Sequence, residues 1–296
     1  MNTPHSTTLL RVLAFGALTA CSAASLEAST VLINENFDSI ADNAGLNAAG
    51  WYYRHGSAST SYWPGPIAYE NGTLSGNVLR GGSGSSGNNW VLKQWGGTTL
   101  TNVGDSLSLS FDTSFNLPAR FNVSFFDAGG TEITANSHSV GIPTGTNSVI
   151  AGATGYGFEQ IYASGTATSG GIGTTTAALN GFDTVALQTS LETLPTLSGD
   201  VFTFTFSVTM VETGAQISFL KDGALVDSWT DTSVSGSVSF DTLKLWISAS
   251  NSATANRALD NVVLTHTSNI PEPSTAAALV GLATLGLAIT RRQRRR

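Results

Sequence analysis

Between Asp200 and Val211 the chain repeats with a strict period of two. Phe202, Phe204, Phe206, Val208 and Met210 fall on one side, and Thr203, Thr205, Ser207 and Thr209 on the other. Helix faces recur every 3.6 residues, whereas successive side chains of a strand point to opposite faces, so this segment is a strand with one buried side. The same alternation sets Leu107, Leu109 and Phe111 against Ser106, Ser108 and Ser110, and Phe121, Val123 and Phe125 against Asn122 and Ser124. Residues 215–221 and 224–230 flank Asp222-Gly223, a pair suited to the positive φ angles of a type I′ hairpin turn. Further strands are expected at 30–37, 89–95, 156–163, 182–188, 234–240, 243–248 and 258–266. Helical periodicity is nearly absent across 29–268, so the fold class is all-β, with two antiparallel sheets packed face to face in one domain. A closed barrel is the alternative, which the irregular loop lengths fit less well. Two Gly/Ser-rich stretches, 81–89 and 163–176, read as mobile surface loops.

The two ends read differently from this domain. Arg11 and the amino terminus, the apolar run from Val12 to Ala20 and the small residues after it have the order of a secretory signal peptide, assigned to residues 1–28 and implying the Sec export machinery. Two cleavage readings stay open: Leu18-Thr19-Ala20-Cys21 suits a lipoprotein signal, and Ala24 or Ala28 suits ordinary signal peptidase. Cys21 is the single cysteine, so ordinary cleavage would leave a mature protein without thiols or disulfides. At the other end Pro271-Glu272-Pro273 precedes an apolar run over 274–290 and then Arg291, Arg292, Arg294, Arg295 and Arg296. As a helix that run spans roughly 25 Å at about 1.5 Å per residue, slightly short of a hydrocarbon core of about 30 Å. The arginines behind it stay in the cytoplasm.

This tripartite tail resembles the PEP-CTERM sorting signal of Gram-negative bacteria, which would occupy residues 269–296. The resemblance implies a transient inner-membrane intermediate, processing by an exosortase near Pro271, Glu272 and Pro273, and delivery to the outer cell surface or extracellular matrix. Such systems accompany polysaccharide production, so exopolysaccharide is the implied partner. A plain tail anchor is the other reading of the same segment.

Charge narrows the partners. The chain is 11% charged with a formal net charge of −7, and five of its 13 Lys and Arg sit in the tail. The working domain is thus acidic and repels nucleic acid.

Asn34-Glu35-Asn36-Phe37-Asp38 and Ala258-Leu259-Asp260-Asn261-Val262-Val263-Leu264 resemble the first and last strands of jelly-roll lectin-like and carbohydrate-binding modules, and Lys221-Asp222-Gly223-Ala224-Leu225-Val226 resembles a hairpin of concanavalin-like and laminin-G-like domains. That likeness implies a jelly roll with adjacent terminal strands, and a structural calcium (Ca2+) near Glu35 and Asp260, with Asp38 as a further carboxylate. The alternative is that Asp260 and Asn261 hydrogen-bond loop backbone. Aromatic residues crowd the first third: Trp51, Tyr52, Tyr53, Tyr62, Trp63, Tyr69, Trp90 and Trp95. They form either a glycan platform, with Trp51 and Trp63 as contacts, or plugs for the ends of the sandwich. Trp246 joins the candidates because alternation puts it with Lys244 on the face opposite Leu243, Leu245 and Ile247, where it would be exposed. Catalytic signals are missing. No Glu-x-Asp-x-x-Glu cluster or Gly-x-Ser-x-Gly elbow occurs, and His55, His138 and His266 have no metal spacing. The expectation is a non-catalytic exported protein that associates with exopolysaccharide. A protein-binding adhesive surface protein is the alternative, and a glycoside hydrolase a third.

Overall fold

The computed structural model describes residues 26–40, 43–55, 63–66, 74, 76–80, 90–115, 119–134, 137–138, 152–163, 166–176, 185–189, 201–249 and 257–270. Ser29–Ser268 forms a compact unit by itself. The expected loop 81–89, most of the expected leader 1–28 and the whole of 271–296 lie outside the described residues, although the first strand already begins at Leu26. Among the described residues no helix is long and apolar enough to cross a membrane.

Two eight-stranded sheets make a jelly-roll sandwich. The strands of the first sheet are β1 (Leu26–Glu35), β3 (Trp63–Pro66), β4 (Asn77–Arg80), β6 (Ser106–Phe115), β12 (Val201–Val211), β13 (Gly214–Lys221), β14 (Ala224–Asp231) and β16 (Arg257–Ile270). They run in the order β14-β13-β12-β6-β16-β4-β3, with β1 also on β16. The second sheet contains β2 (Trp51–His55), β5 (Trp90–Leu100), β7 (Ala119–Asp127), β8 (Ser137–His138), β9 (Thr154–Ala163), β10 (Thr166–Thr176), β11 (Val185–Leu187) and β15 (Val238–Ala249). Its order is β11-β10-β9-β7-β15-β5-β2-β8. A short helix, α1 (Asn43–Ala48), precedes β2.

Period-two alternation becomes layers once register is fixed. In the first sheet Phe219, Phe206, Leu109 and Leu264 form one row across β13, β12, β6 and β16. In the second, Phe158, Val123, Leu245 and Val91 form another across β9, β7, β15 and β5. The rows meet through rings: Phe158 stacks on Phe219 at 3.7 Å, Phe125 lies 5.0 Å from Phe206, and Phe121 5.7 Å from Phe204. Each such pair contributes about 0.5–1.5 kcal/mol beyond the area it buries. The β13–β14 turn is as expected, with Asp222 and Gly223 at φ of 50° and 77°.

Two expectations are corrected. Residues 163–176 contain a strand, β10, and not one long loop. Its glycines serve close approach: a Cβ at Gly173 would stand 2.0 Å from the Ala186 carbonyl oxygen of β11. Residues 234–240 and 243–248 are not two strands either. Residues 238–240 and 243–248 lie on one strand, β15, which passes through a bulge at Asp241, and 234–237 precede it outside any strand.

Candidate functional site

The bulge creates a concavity at the surface of the second sheet. Thr98 pairs with Phe240 and Gln94 with Thr242, so Trp95, Gly96 and Gly97 stand opposite Asp241 alone. A bulge bends its strand and re-aims side chains. Here it opens a cleft of about 690 Å³ lined by Gln94, Trp95, Asp127, Glu132, Ser239 and Asp241, among others. A second cleft of about 450 Å³, lined in part by Tyr156 and Asp231, adjoins it through Asp127, Ser239 and Phe240.

Hydrogen bonds fix the floor. Asp241 Oδ1 accepts from the Ala128 amide and the Thr242 hydroxyl, both at 2.8 Å, and Oδ2 accepts from the Gly130 amide at 2.9 Å. Gln94 ties down the following segment, with Oε1 accepting from the Ile133 amide and Nε2 donating to the Thr131 carbonyl. Trp95 meets Phe125 edge to face at 6.4 Å and donates from Nε1 to the Thr98 hydroxyl, leaving the half-buried ring as an apolar wall. Asp127 and Glu132 stand exposed at the rim. A half-buried indole beside polar groups already fixed by hydrogen bonds suits a polyhydroxylated ligand, whose C–H faces match the ring.

In the second cleft the Tyr156 hydroxyl donates to Asp231 Oδ2 at 2.9 Å, linking β9 of one sheet to β14 of the other. Burial pushes the Tyr156 phenol up, and the Asp231 carboxylate adds to it. Burial also pushes Asp231 up, but the Ser233 hydroxyl and amide and the Tyr156 hydroxyl outweigh it and hold the carboxyl below its ordinary range.

The residues singled out from sequence are placed elsewhere. Trp51 is 0% exposed, tilted on Phe37 at 5.5 Å, with the Lys93 ammonium 5.6 Å from its ring. It plugs the core and offers no face to a glycan. Trp246 is 2% exposed, packed with Leu92, Phe126 and Ile133, because the outer face of the second sheet is itself covered. Trp63 lies on β3, and its side chain falls outside the described residues, as do Pro271, Glu272, Pro273 and the five arginines.

Glu35 and Asp260 do come into one neighbourhood. β16 steps out of register with β6 between Asp260 and Val263, and Asn261 takes a left-handed φ of 51° there. Burial raises the Asp260 carboxyl to about 6 against the pull of the Asn261 amide, and the charges of Asp38, Asp112 and Glu35 raise it further. These carboxylates are engaged locally: Glu35 accepts from the Phe37 amide, Asp38 from the Asn77 amide, and Asp112 from the Asn261 side chain. Calcium takes six to eight oxygens. Among the described residues no group of three or more carboxylate, imidazole or thiolate side chains is placed to hold a metal ion.

Sequence reasoning missed Gln94, Trp95, Asp127, Glu132 and Asp241 as a group. The signal was there in Trp95-Gly96-Gly97, since two glycines after a strand segment mark a bulge.

Among solved structures, the chain is similar to an endo-1,3-β-glucanase from Streptomyces sioyaensis at 12% identity, covering 82% of this chain and 97% of that one with a TM-score of 0.46. It is similar to a galectin-like protein from Bacillus subtilis at 9% identity, over 83% and 100% of the two chains with a TM-score of 0.43. A carbohydrate-binding module from Bacillus subtilis aligns at 13% identity over 72% and 93%, with a TM-score of 0.33. At these scores none of them transfers a ligand or an activity. No curated protein matches the chain. The tail is another matter: the family model described as the PEP-CTERM protein-sorting motif matches residues 269–295, so the chain carries that motif and is an exported protein of the kind an exosortase sorts.

Proposed function

We propose that this protein leaves the cytoplasm through the Sec machinery by its leader, is processed by an exosortase at Pro271-Glu272-Pro273, and then works at the cell surface or in the extracellular matrix as a non-catalytic binder of exopolysaccharide. The cleft at the β5–β15 bulge is the binding site. One observation carries this reading: the half-buried Trp95 ring stands over a polar floor that Asp241 and Gln94 hold rigid before any ligand arrives. Preorganised polar groups beside an aromatic wall lower the ordering cost of binding. Hydrolysis would need two carboxylates disposed about the scissile bond. Both oxygens of Asp241 are already occupied by turn amides, and Asp127 Oδ1 accepts from the Gly129 amide, which leaves these groups shaping the cleft.

Retention of the protein on immobilised bacterial and plant polysaccharides tests the assignment. The wild type is expected to be retained on at least one of them, Trp95→Ala to lose about tenfold or more in affinity, consistent with an aromatic anchor contributing at least about 1.4 kcal/mol, and Trp51→Phe to bind normally. Release of reducing sugars by the wild type would replace this reading with a hydrolase. Failure of every polysaccharide to retain it would leave the adhesive, protein-binding reading.

A further inference from the structure

The outer face of the second sheet carries a polar group that the cleft does not use. Lys244 on β15, Asn122 on β7 and Glu159 on β9 are 1%, 0% and 5% exposed. Asn122 stands directly across from Glu159 on one side and from Trp246 on the other, while Lys244 pairs with Ser124. The three side chains therefore share one face of three adjacent strands, with the amide in the middle, the carboxylate opposite it and the lysine on the diagonal. Directly opposed residues hold their Cβ atoms about 4.5–5.5 Å apart and diagonal neighbours lie about 7–8 Å apart, a gap that a lysine stem closes. The Lys244 ammonium lies 5.4 Å from the centre of the Trp246 ring, so its head leans along β15 toward the row of Asn122.

The amide is set up unusually. Asn122 Oδ1 accepts from the Ser124 hydroxyl at 2.8 Å, which polarises the side-chain carbonyl, while the buried Nδ2 has no hydrogen-bond partner. A buried donor left unsatisfied costs about 1–3 kcal/mol. Leu92 stands across from Lys244 and Trp246 across from Asn122, and both belong to a buried apolar cluster with Phe126 and Ile133, so the group sits in a shell with little room for water. An amine, a primary amide and a carboxylate confined together in such a shell are the reactants and the proton carrier for amide exchange.

We propose that Lys244 and Asn122 are joined by a side-chain isopeptide bond, formed with Glu159 as the proton carrier. Glu159 takes a proton from the Lys244 ammonium, and the freed Nζ lone pair attacks Cγ of Asn122. The carboxylate relays two protons in all from Nζ to Nδ2, the Cγ–Nδ2 bond breaks, and the nitrogen leaves as ammonium with Glu159 again ionised. No oxidant or external reagent is required. The bond would staple β7 to β15 at the middle of the sheet, in a chain whose one cysteine, Cys21, lies within the expected leader. It removes the unsatisfied Nδ2 in the same step.

Proteolytic digestion of the full-length purified chain, followed by fragmentation mass spectrometry, decides the matter. The expected result is a fragment joining the Asn122 and Lys244 peptides, lighter than their sum by one ammonia. Lys244→Arg and Glu159→Gln should abolish the linked fragment, and Asn122→Asp should keep it with the loss of one water instead. Recovery of Asn122 and Lys244 in separate, unmodified peptides of the wild-type chain would overturn the bond, and persistence of the link in Glu159→Gln would overturn the role of Glu159. The decisive measurement is made on the wild type, so poor folding of a variant cannot obscure it.

Discussion

Single residues on this sandwich are governed by which layer covers them, and Asp260 is the clearest case. Its carboxyl is raised to about 6 from an ordinary 3.8, chiefly by burial. A folded-state pKa above the unfolded one means the native state holds the proton more tightly, so its stabilising contribution is complete below about pH 4 and is lost as pH rises through about 6. Asp260→Asn should therefore raise the unfolding free energy at pH 7, by at most about 3 kcal/mol and by less to the extent that water reaches the group, and leave it little changed at pH 4. Denaturant titrations of both proteins at the two pH values check this. Asp231 has the opposite sign, since its carboxyl is held below the ordinary range and its contribution is lost only as pH falls through the folded value. Tyr156→Phe removes one of its donors across the two sheets and should cost about 1–3 kcal/mol at neutral pH, read from the same titrations. The Tyr156–Asp231 pairing was not legible in the sequence, where the two residues are 75 positions apart. Trp51 and Trp246 show the same limit from the other side: alternation assigned Trp246 to the correct face, but no pattern along one strand says whether that face meets water or a second apolar layer.

Elements were far easier to read. The strands with clean alternation, β6, β7, β12 and β13, fall where period two puts them, because one face of each meets the facing sheet and the other does not. The hairpin turn was legible for a conformational reason, and it is stitched to the neighbouring strand: the Asp222 amide donates to the Thr203 carbonyl at 2.8 Å, and Asp222 Oδ1 accepts from the Thr203 amide at 2.9 Å. At Gly223 nothing lies within 4 Å of an added Cβ, so Gly223→Ala should lose only the cost of the left-handed backbone, about 1–2 kcal/mol. Gly173→Ala should do more, because its Cβ would overlap the backbone of β11. The expected outcome is loss of β10–β11 pairing, seen as faster amide hydrogen exchange at Ala186 and Leu187, with the core strands β7 and β15 still protected. Glycine-rich β10 was misread for the same reason: composition cannot separate a glycine that frees a loop from one that lets two backbones approach. The break after Trp95 and the break at 241–242 are likewise one bulge seen from its two strands, which the sequence shows only as two separate interruptions.

At the scale of the whole molecule the address is more legible than the task. Sorting depends on a contiguous segment whose order along the chain is its meaning, and the motif over 269–295 is matched on that order alone. The proposed binding site joins Trp95, Asp127 and Asp241, which converge only when β5, β7 and β15 lie side by side. The two properties should therefore separate under mutation. Changing Pro271-Glu272-Pro273 to Ala-Ala-Ala is expected to leave full-length chain in the inner membrane, because the apolar run over 274–290 can still enter the bilayer and Arg291 to Arg296 still resist crossing it. Deleting residues 291–296 removes that resistance and should let unprocessed chain escape. Fractionation of the envelope with immunoblotting distinguishes the two fates from wild-type maturation, and identical processing of all three chains would rule out a sorting role for these residues. The sandwich of both variants should unfold at the wild-type midpoint and keep its polysaccharide retention, since the altered residues lie beyond β16 and outside the compact unit Ser29–Ser268. A shift in either would mean that the tail contributes to the fold as well as to the address.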